Sequence, residues 1–137
     1  AWSESWVKKA STGTRAKFSG EAWQATATFT LTGEKASFTG VRPSEAFEPG
    51  KGKWGALELA GRVNGLELGA DVFREEIVDP AKSVRKAFAW AVGLNWTLNR
   101  NVKQVVNLEH TTFTGGAEGG AGRPAENAFF IRTQVSF

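Results

Sequence analysis

Five charged side chains, Glu58, Arg62, Lys103, Glu109 and Arg132, fall on the polar parity of segments in which apolar and polar residues alternate. Residues of one parity in a strand share a face. Charges so placed can pair across strands, or bias small ions along a wetted face. Covalent chemistry has little to work with. The chain has no Cys, which removes disulfides, thiolate nucleophiles and cysteine-ligated zinc. His110 is the only His and has no companion ligands; it reads as an interfacial residue near a strand end. Glu75 and Glu76 with Asp79 could hold a cation, but acids in a loop are ordinarily just solvated. Glu34 and Glu58 could act as a carboxylate pair, yet nothing in the sequence fixes their separation. With no nucleophile–base pair in sight, neither an enzyme nor a cofactor is expected.

The elements that must carry these charges are strands. Six β segments are legible. The first runs from about Trp2 to Lys9 and meets the second across Ala10–Thr14. The second spans about Lys17 to Thr32. There Trp23, Ala25, Ala27, Phe29 and Leu31 form a wholly apolar face opposite Gln24, Thr26, Thr28, Thr30 and Thr32. Gly33 to Lys53, with Pro43, Pro49, Gly50 and Gly52, reads as a long loop that could include a short strand near Ala36 to Thr39. The third strand covers about Trp54 to Leu68, placing Leu57, Leu59 and Val63 opposite Glu58, Arg62 and Asn64. A second loop, Gly69 to Lys86, could hold a helical turn within Pro80 to Phe88. Strands four and five form the clearest hairpin: Phe88, Trp90, Val92, Leu94, Trp96 and Leu98, a turn at Asn99-Arg100-Asn101, then Val102, Gln104, Val106 and Leu108. A Gly-rich loop, Gly115 to Gly122, leads to the last strand.

Composition narrows the class. A chain of 137 residues suffices for one domain but not for a many-stranded barrel, since each crossing strand needs about 9–11 residues. No apolar run is long enough for a membrane-crossing helix. The net charge of +3 is spread along the chain, so no basic block suggests nucleic acid. The start, Ala1-Trp-Ser-Glu-Ser-Trp6, has neither the basic region nor the apolar core of a signal peptide; such a leader has been removed, or the chain begins inside a longer protein. Tyr and Met are both absent, which is unusual for a barrel.

Alternation alone does not say whether the apolar faces point into a core or out to lipid. Two features favour lipid. The polar faces are built from small or uncharged residues, where a solvated surface would carry more Lys and Glu. Aromatics such as Trp23, Phe88, Trp90, Trp96 and Phe137 stand near the ends of the apolar faces, as in interfacial girdles. Against this, Gln104 falls in the apolar register, and Gly55, Gly61 and Gly65 thin the face of strand three. The terminal segment places Phe129, Ile131, Thr133, Val135 and Phe137 on one face and stops on an aromatic. Bacterial outer-membrane barrels end this way, with the last Phe read by the assembly machinery.

Four segments carry a resemblance: Ala22–Glu34, ending Leu-Thr-Gly-Glu; Trp54-Gly-Ala-Leu-Glu-Leu-Ala-Gly-Arg62; Val92-Gly-Leu-Asn-Trp-Thr-Leu-Asn-Arg-Asn-Val-Lys103; and Arg123-Pro-Ala-Glu-Asn-Ala128 with Arg132-Thr-Gln-Val-Ser-Phe137. In order and spacing they resemble the phosphate-selective porin O/P family. Phe29, Thr97 and Leu108 stand where members usually carry Tyr. Members are longer, with sixteen strands, so the resemblance makes this chain a C-terminal part of about six strands of one antiparallel transmembrane β-barrel domain. It implies an outer-membrane, trimeric, non-catalytic channel that passes small anions, phosphate among them, past cationic side chains. The family's constriction residues belong mostly to the part outside this chain and none is carried over. In such a barrel alternation makes Glu58, Arg62, Lys103, Glu109 and Arg132 the pore-lining candidates, and Phe137 is the assembly signal. Plain cross-strand pairs that keep the lumen solvated are the simpler reading of those charges. The short Asn99–Asn101 turn would be periplasmic, and parity would put the Gly33–Lys53 loop on the same side. The rival expectation is a soluble β-barrel or β-sandwich that binds a ligand, with the same apolar faces turned inward.

Overall fold

The computed structural model describes residues 2–8, 13, 15–35, 37, 40–74, 78–79 and 81–137. They form an all-β arrangement, a single six-stranded antiparallel sheet in which each strand lies beside its neighbour in sequence. The strands are β1 (Trp2–Lys8), β2 (Arg15–Thr30), β3 (Ala56–Leu68), β4 (Val84–Thr97), β5 (Val102–Gly115) and β6 (Glu126–Val135). One short helix, α1 (Ala70–Arg74), follows β3, and two 3₁₀ turns sit at Pro49–Lys51 and Glu118–Gly120.

Sequential order follows from connections that each reverse the chain. Between β4 and β5 the carboxamide oxygen of Asn99 accepts the backbone N–H groups of Asn101 and Val102, both at 2.9 Å. The N–H of Leu98 reaches the Val102 carbonyl at 3.0 Å. An Asn side chain that satisfies turn donors in this way makes a tight reversal. Between β1 and β2 the antiparallel register sets Trp2 opposite Glu21, Glu4 opposite Ser19 and Trp6 opposite Lys17.

The helical turn is not where the sequence placed it. It occupies Ala70–Arg74, whereas Val84 to Phe88 already belongs to β4. Five residues are too few to show a helical period; the turn forms because Val72 is completely buried and its N–H bonds the Gly69 carbonyl at 3.1 Å. The long loop from Gly33 to Lys53 contains no strand among its described residues beyond an isolated Glu48–Lys53 bridge. Residues 36, 38 and 39 lie outside the described set, as do Glu75, Glu76, Pro80 and, in the first turn, residues 10–12 and 14. Strand β5 runs on to Gly115, so His110 sits inside a strand and not near its end.

The chain divides into two compact units, each drawn from several strands. One comprises Ala1–Ala25, Val63–Ala89 and His110–Glu126; the other comprises Thr26–Arg62, Trp90–Glu109 and Asn127–Phe137. In the first, the buried apolar residues are Val72 and Ala89; in the second they are Val41, Ala56 and Val105. None of these is large, and no described polar residue is buried.

Burial along β4 and β5 has an unusual sense. Phe88, Trp90 and Val92 are exposed, at 43%, 38% and 46%, whereas Ala89, at 8%, and Gly93 on the opposite parity are buried. On β5, Leu108 is exposed while Val105, which shares a parity with Lys103, Asn107 and Glu109, is buried. The large apolar side chains therefore occupy the open face, and the small and polar residues occupy the covered one.

Candidate functional site

The covered face of the second unit gathers three of the five charged residues named from sequence. The guanidinium of Arg62 on β3 donates to the carboxylate of Glu109 on β5 at 2.8 Å. Strand β4 lies between them, so the pair reaches across about 10 Å of sheet, twice the usual strand spacing. Small residues on β4 leave room for it. Stepping seven residues back from Leu98 and seven on from Val102, which are paired, puts Ala91 opposite Glu109. A larger residue at 91 would stand under the ion pair.

A hollow of about 340 Å³ forms around this pair, lined by Thr26, Ala60, Ala91, Gly93, Asn107 and Phe130 together with Arg62 and Glu109. Gly93 is required for close approach: a Cβ there would overlap the carboxamide of Asn107. Beside the hollow, Asn95 donates to Glu58 at 2.7 Å. Glu58 and Glu34 are not partners. The Glu34 carboxylate instead accepts from the Thr32 hydroxyl, and from the Ser44 N–H and hydroxyl at 3.4 Å. Burial works against charge on Glu34, but these hydrogen bonds outweigh it and hold the carboxyl below its ordinary value.

Lys103 stands apart from the ion pair, at the start of β5, where it lines a separate cavity with Arg42 and Arg100. Neither arginine stood out in the sequence. Arg42 lies in a loop with no period, and Arg100 sits between two Asn residues whose role in the turn is what the pattern shows. Arg132, on β6, is exposed and makes no ion pair with a described residue. Phe137 lies beyond the end of β6 and is exposed. Gln104, the exception on the apolar parity, accepts from the Thr133 hydroxyl at 2.9 Å. Two polar side chains on an otherwise apolar face thus satisfy each other.

The first unit carries its own paired charges. Lys17 meets Glu4 at 3.2 Å and Lys86 meets Glu67 at 2.7 Å. At the end of β3, the Ser19 hydroxyl donates to Asp71 of α1 at 2.6 Å, and this bond lowers the Asp71 carboxyl below its ordinary value.

Aromatic side chains collect in each unit. In the first, Trp23 and Phe88 have ring centroids 6.2 Å apart. In the second, Phe47 meets Trp96 edge to face at 5.1 Å, and the Trp96 indole N–H donates to the Trp54 carbonyl at 2.6 Å. An indole whose N–H is satisfied while its ring stays partly exposed suits a boundary between water and an apolar phase.

The site holds fixed charge on a covered face of small residues, with no described group of His, Asp or Glu suited to a metal. Its chemistry is electrostatic. No curated protein and no solved structure matches the chain. Comparison with protein families, however, matches residues 2–137 to the family described as phosphate-selective porin O and P. An antiparallel sheet of alternating strands, with large apolar residues on one face and paired charges on the other, is consistent with that match, and the chain belongs to the phosphate-selective porin O and P family.

Proposed function

We propose that this chain is the C-terminal part of a single outer-membrane barrel domain through which small anions such as phosphate diffuse passively. The observation that carries this reading is the inverted burial of β4, with Trp90 and Val92 open and Ala89 and Gly93 covered. A soluble sheet buries its large apolar side chains. A sheet solvated by lipid exposes them and keeps polar residues on the other face. The inverted sense therefore speaks against the soluble ligand-binding module.

In this reading the Arg62–Glu109 pair, Glu58, Lys103 and Arg132 line the water-filled side. The apolar parity contacts outer-membrane lipid, and the Asn99–Asn101 turn with the loop before β3 faces the periplasm. That loop already shares one end of its unit with the turn, since the Phe47 N–H bonds the Leu98 carbonyl at 2.7 Å. Phe137 serves as the signal for the assembly machinery, and the complete channel is a homotrimer.

The test is the reversal potential of the purified protein in a planar bilayer under a salt gradient. Stepwise conductance with an anion-selective sign is expected. Arg62→Gln should move the reversal potential toward cation preference, because it leaves Glu109 as an unpaired negative charge. Glu109→Gln, which frees the guanidinium, should move it the opposite way. Loss of the exposed pair should change stability by less than about 1 kcal/mol. Conductance without ion preference, or shifts of the same sign from both variants, would remove these residues from the permeation path.

A further inference from the structure

A hollow of about 230 Å³ lies in the first unit, close to where β3 and β4 are joined through α1. Two rows of side chains line it, and the register fixes them. The Gly69 N–H bonds the Ser19 carbonyl at 2.9 Å, so two residues inward Glu21 on β2 stands opposite Glu67 on β3. Two residues further, Trp23 stands opposite Gly65, and its indole lies over that glycine. Strand β4 extends both rows: Lys86 meets Glu67 at 2.7 Å, and the Phe88 ring centroid lies 6.2 Å from that of Trp23. The row nearer the strand ends is carboxylate, carboxylate, ammonium. The next row is indole, glycine, phenyl.

The charged row does not balance. Glu67 is paired with Lys86, whereas the Glu21 carboxylate makes no ion pair or side-chain hydrogen bond with a described residue. Like charges directly opposite one another in an antiparallel pair are destabilising. An ammonium group set between Glu21 and Glu67 removes that repulsion. The Lys86 ammonium is carried one strand further on, a spacing of about 4.8 Å, and has donors left for an anionic oxygen. Beside the charges, Trp23 and Phe88 are 48% and 43% exposed and form an apolar wall.

We infer that this hollow seats one lipid whose headgroup carries both an ammonium and a phosphate, as phosphatidylethanolamine does. The inference rests on the reading that the apolar parity meets lipid, and adds to it a preference among lipids. Glu21 and Glu67 take the ammonium, Lys86 takes the phosphate, and the start of an acyl chain lies against Trp23 and Phe88. The two-carbon link of ethanolamine is short enough to set its two charges over neighbouring strands. A headgroup with phosphate and no ammonium would bring negative charge to a row that already holds an unpaired carboxylate. Charge complementarity therefore selects the zwitterion, and aromatic side chains beside the charges suit the boundary between headgroups and acyl chains.

The test is native mass spectrometry of the detergent-purified chain titrated with phosphatidylethanolamine or with phosphatidylglycerol. One phosphatidylethanolamine should be retained at saturation, and phosphatidylglycerol should be held about tenfold more weakly, the value of one charge-assisted contact. Glu21→Gln should weaken phosphatidylethanolamine retention by a similar factor, because it removes the unpaired carboxylate and leaves the Glu67–Lys86 bridge in place. Lys86→Gln should also weaken it. Lys35→Gln, which removes a positive charge outside the hollow, should retain lipid as the parent does. Equal retention of the two lipids overturns the proposal, as does parental retention in Glu21→Gln or an equal loss in Lys35→Gln. Dimers of the parent that vanish in Glu21→Gln, with no preference between lipids, would give the hollow to a second copy of this chain and overturn it too. Failure of the site alone leaves both lipids bound without preference. Failure of the membrane reading looks different, since the chain would then retain neither lipid and stay folded without detergent.

Discussion

At the scale of single residues, the glycines of β3 do different things although they share a parity. Gly65 accommodates Trp23: a Cβ there would come within 2.6 Å of the indole nitrogen and 2.8 Å of an adjacent ring carbon. Gly61 has nothing within 4 Å of where its Cβ would be. Neither glycine has a positive φ, so the contrast is one of space and not of backbone strain. Gly65→Ala should therefore force Trp23 off its seat and disturb its contact with Phe88, costing about 1–3 kcal/mol as overpacking does. Gly61→Ala should be neutral or slightly stabilising, because it trades glycine's chain entropy for a methyl group in open space. Denaturant titration in detergent, followed by Trp fluorescence, checks both; equal effects would mean that the seat does not exist. The sequence showed these glycines only as a thinning of the apolar face, because the Trp that fills the gap is on another strand.

At the scale of elements, α1 is held to β2 by one contact that depends on ionisation. The Ser19 hydroxyl bond is the main reason the Asp71 carboxyl is lowered, aided by the N–H groups of Asp71 and Val72 and by the charge on Lys17, with burial opposing them. A lowered native value means the folded form prefers the carboxylate. The stabilisation is then complete above the unfolded value, about 3.9, and disappears as pH falls through the lower native value. The stability difference between the parent and Ser19→Ala should be present at neutral pH and close in acid, read by hydrogen exchange at the Val72 amide. A difference that does not change with pH would show that the link is packing and not charge. This element also shows the limit of the sequence. Strands β2, β4 and β5 were legible because alternation is local, and the Asn99–Asn101 turn because its residues favour that geometry. The helical turn was misplaced because five residues are too few to show a helical period, and the Ser19–Asp71 contact was invisible because it joins residues 52 positions apart that nothing local connects. The Arg62–Glu109 pair is intermediate. Both residues were named from parity, but their meeting across β4 required the register and the small size of Ala91.

At the scale of the whole molecule, the inverted burial makes a statement about solvent that can be tested strand by strand. The absence of Cys makes the experiment simple, since each introduced thiol is the only one present. Nitroxide labels at Phe88→Cys, Trp90→Cys and Val92→Cys of the protein in bilayers should collide mainly with oxygen, which concentrates in lipid. Labels at Ala87→Cys, Ala89→Cys and Ala91→Cys should collide mainly with a water-soluble nickel chelate, unless the covered face excludes it, in which case they should be protected from both. Either result on the second set gives a period of two in oxygen accessibility, as expected for a strand with one face in lipid. The same labels in a soluble sheet with an apolar core would show the reverse phase, with positions 88, 90 and 92 shielded from both reagents and 87, 89 and 91 open to nickel. Because β4 has paired neighbours on both sides, its phase reports the sheet face itself and not an edge. A phase opposite to the expected one would mean that Trp90 and Val92 meet another protein surface and not lipid, and the anion path would then have to be sought elsewhere than on the face that carries Arg62 and Glu109.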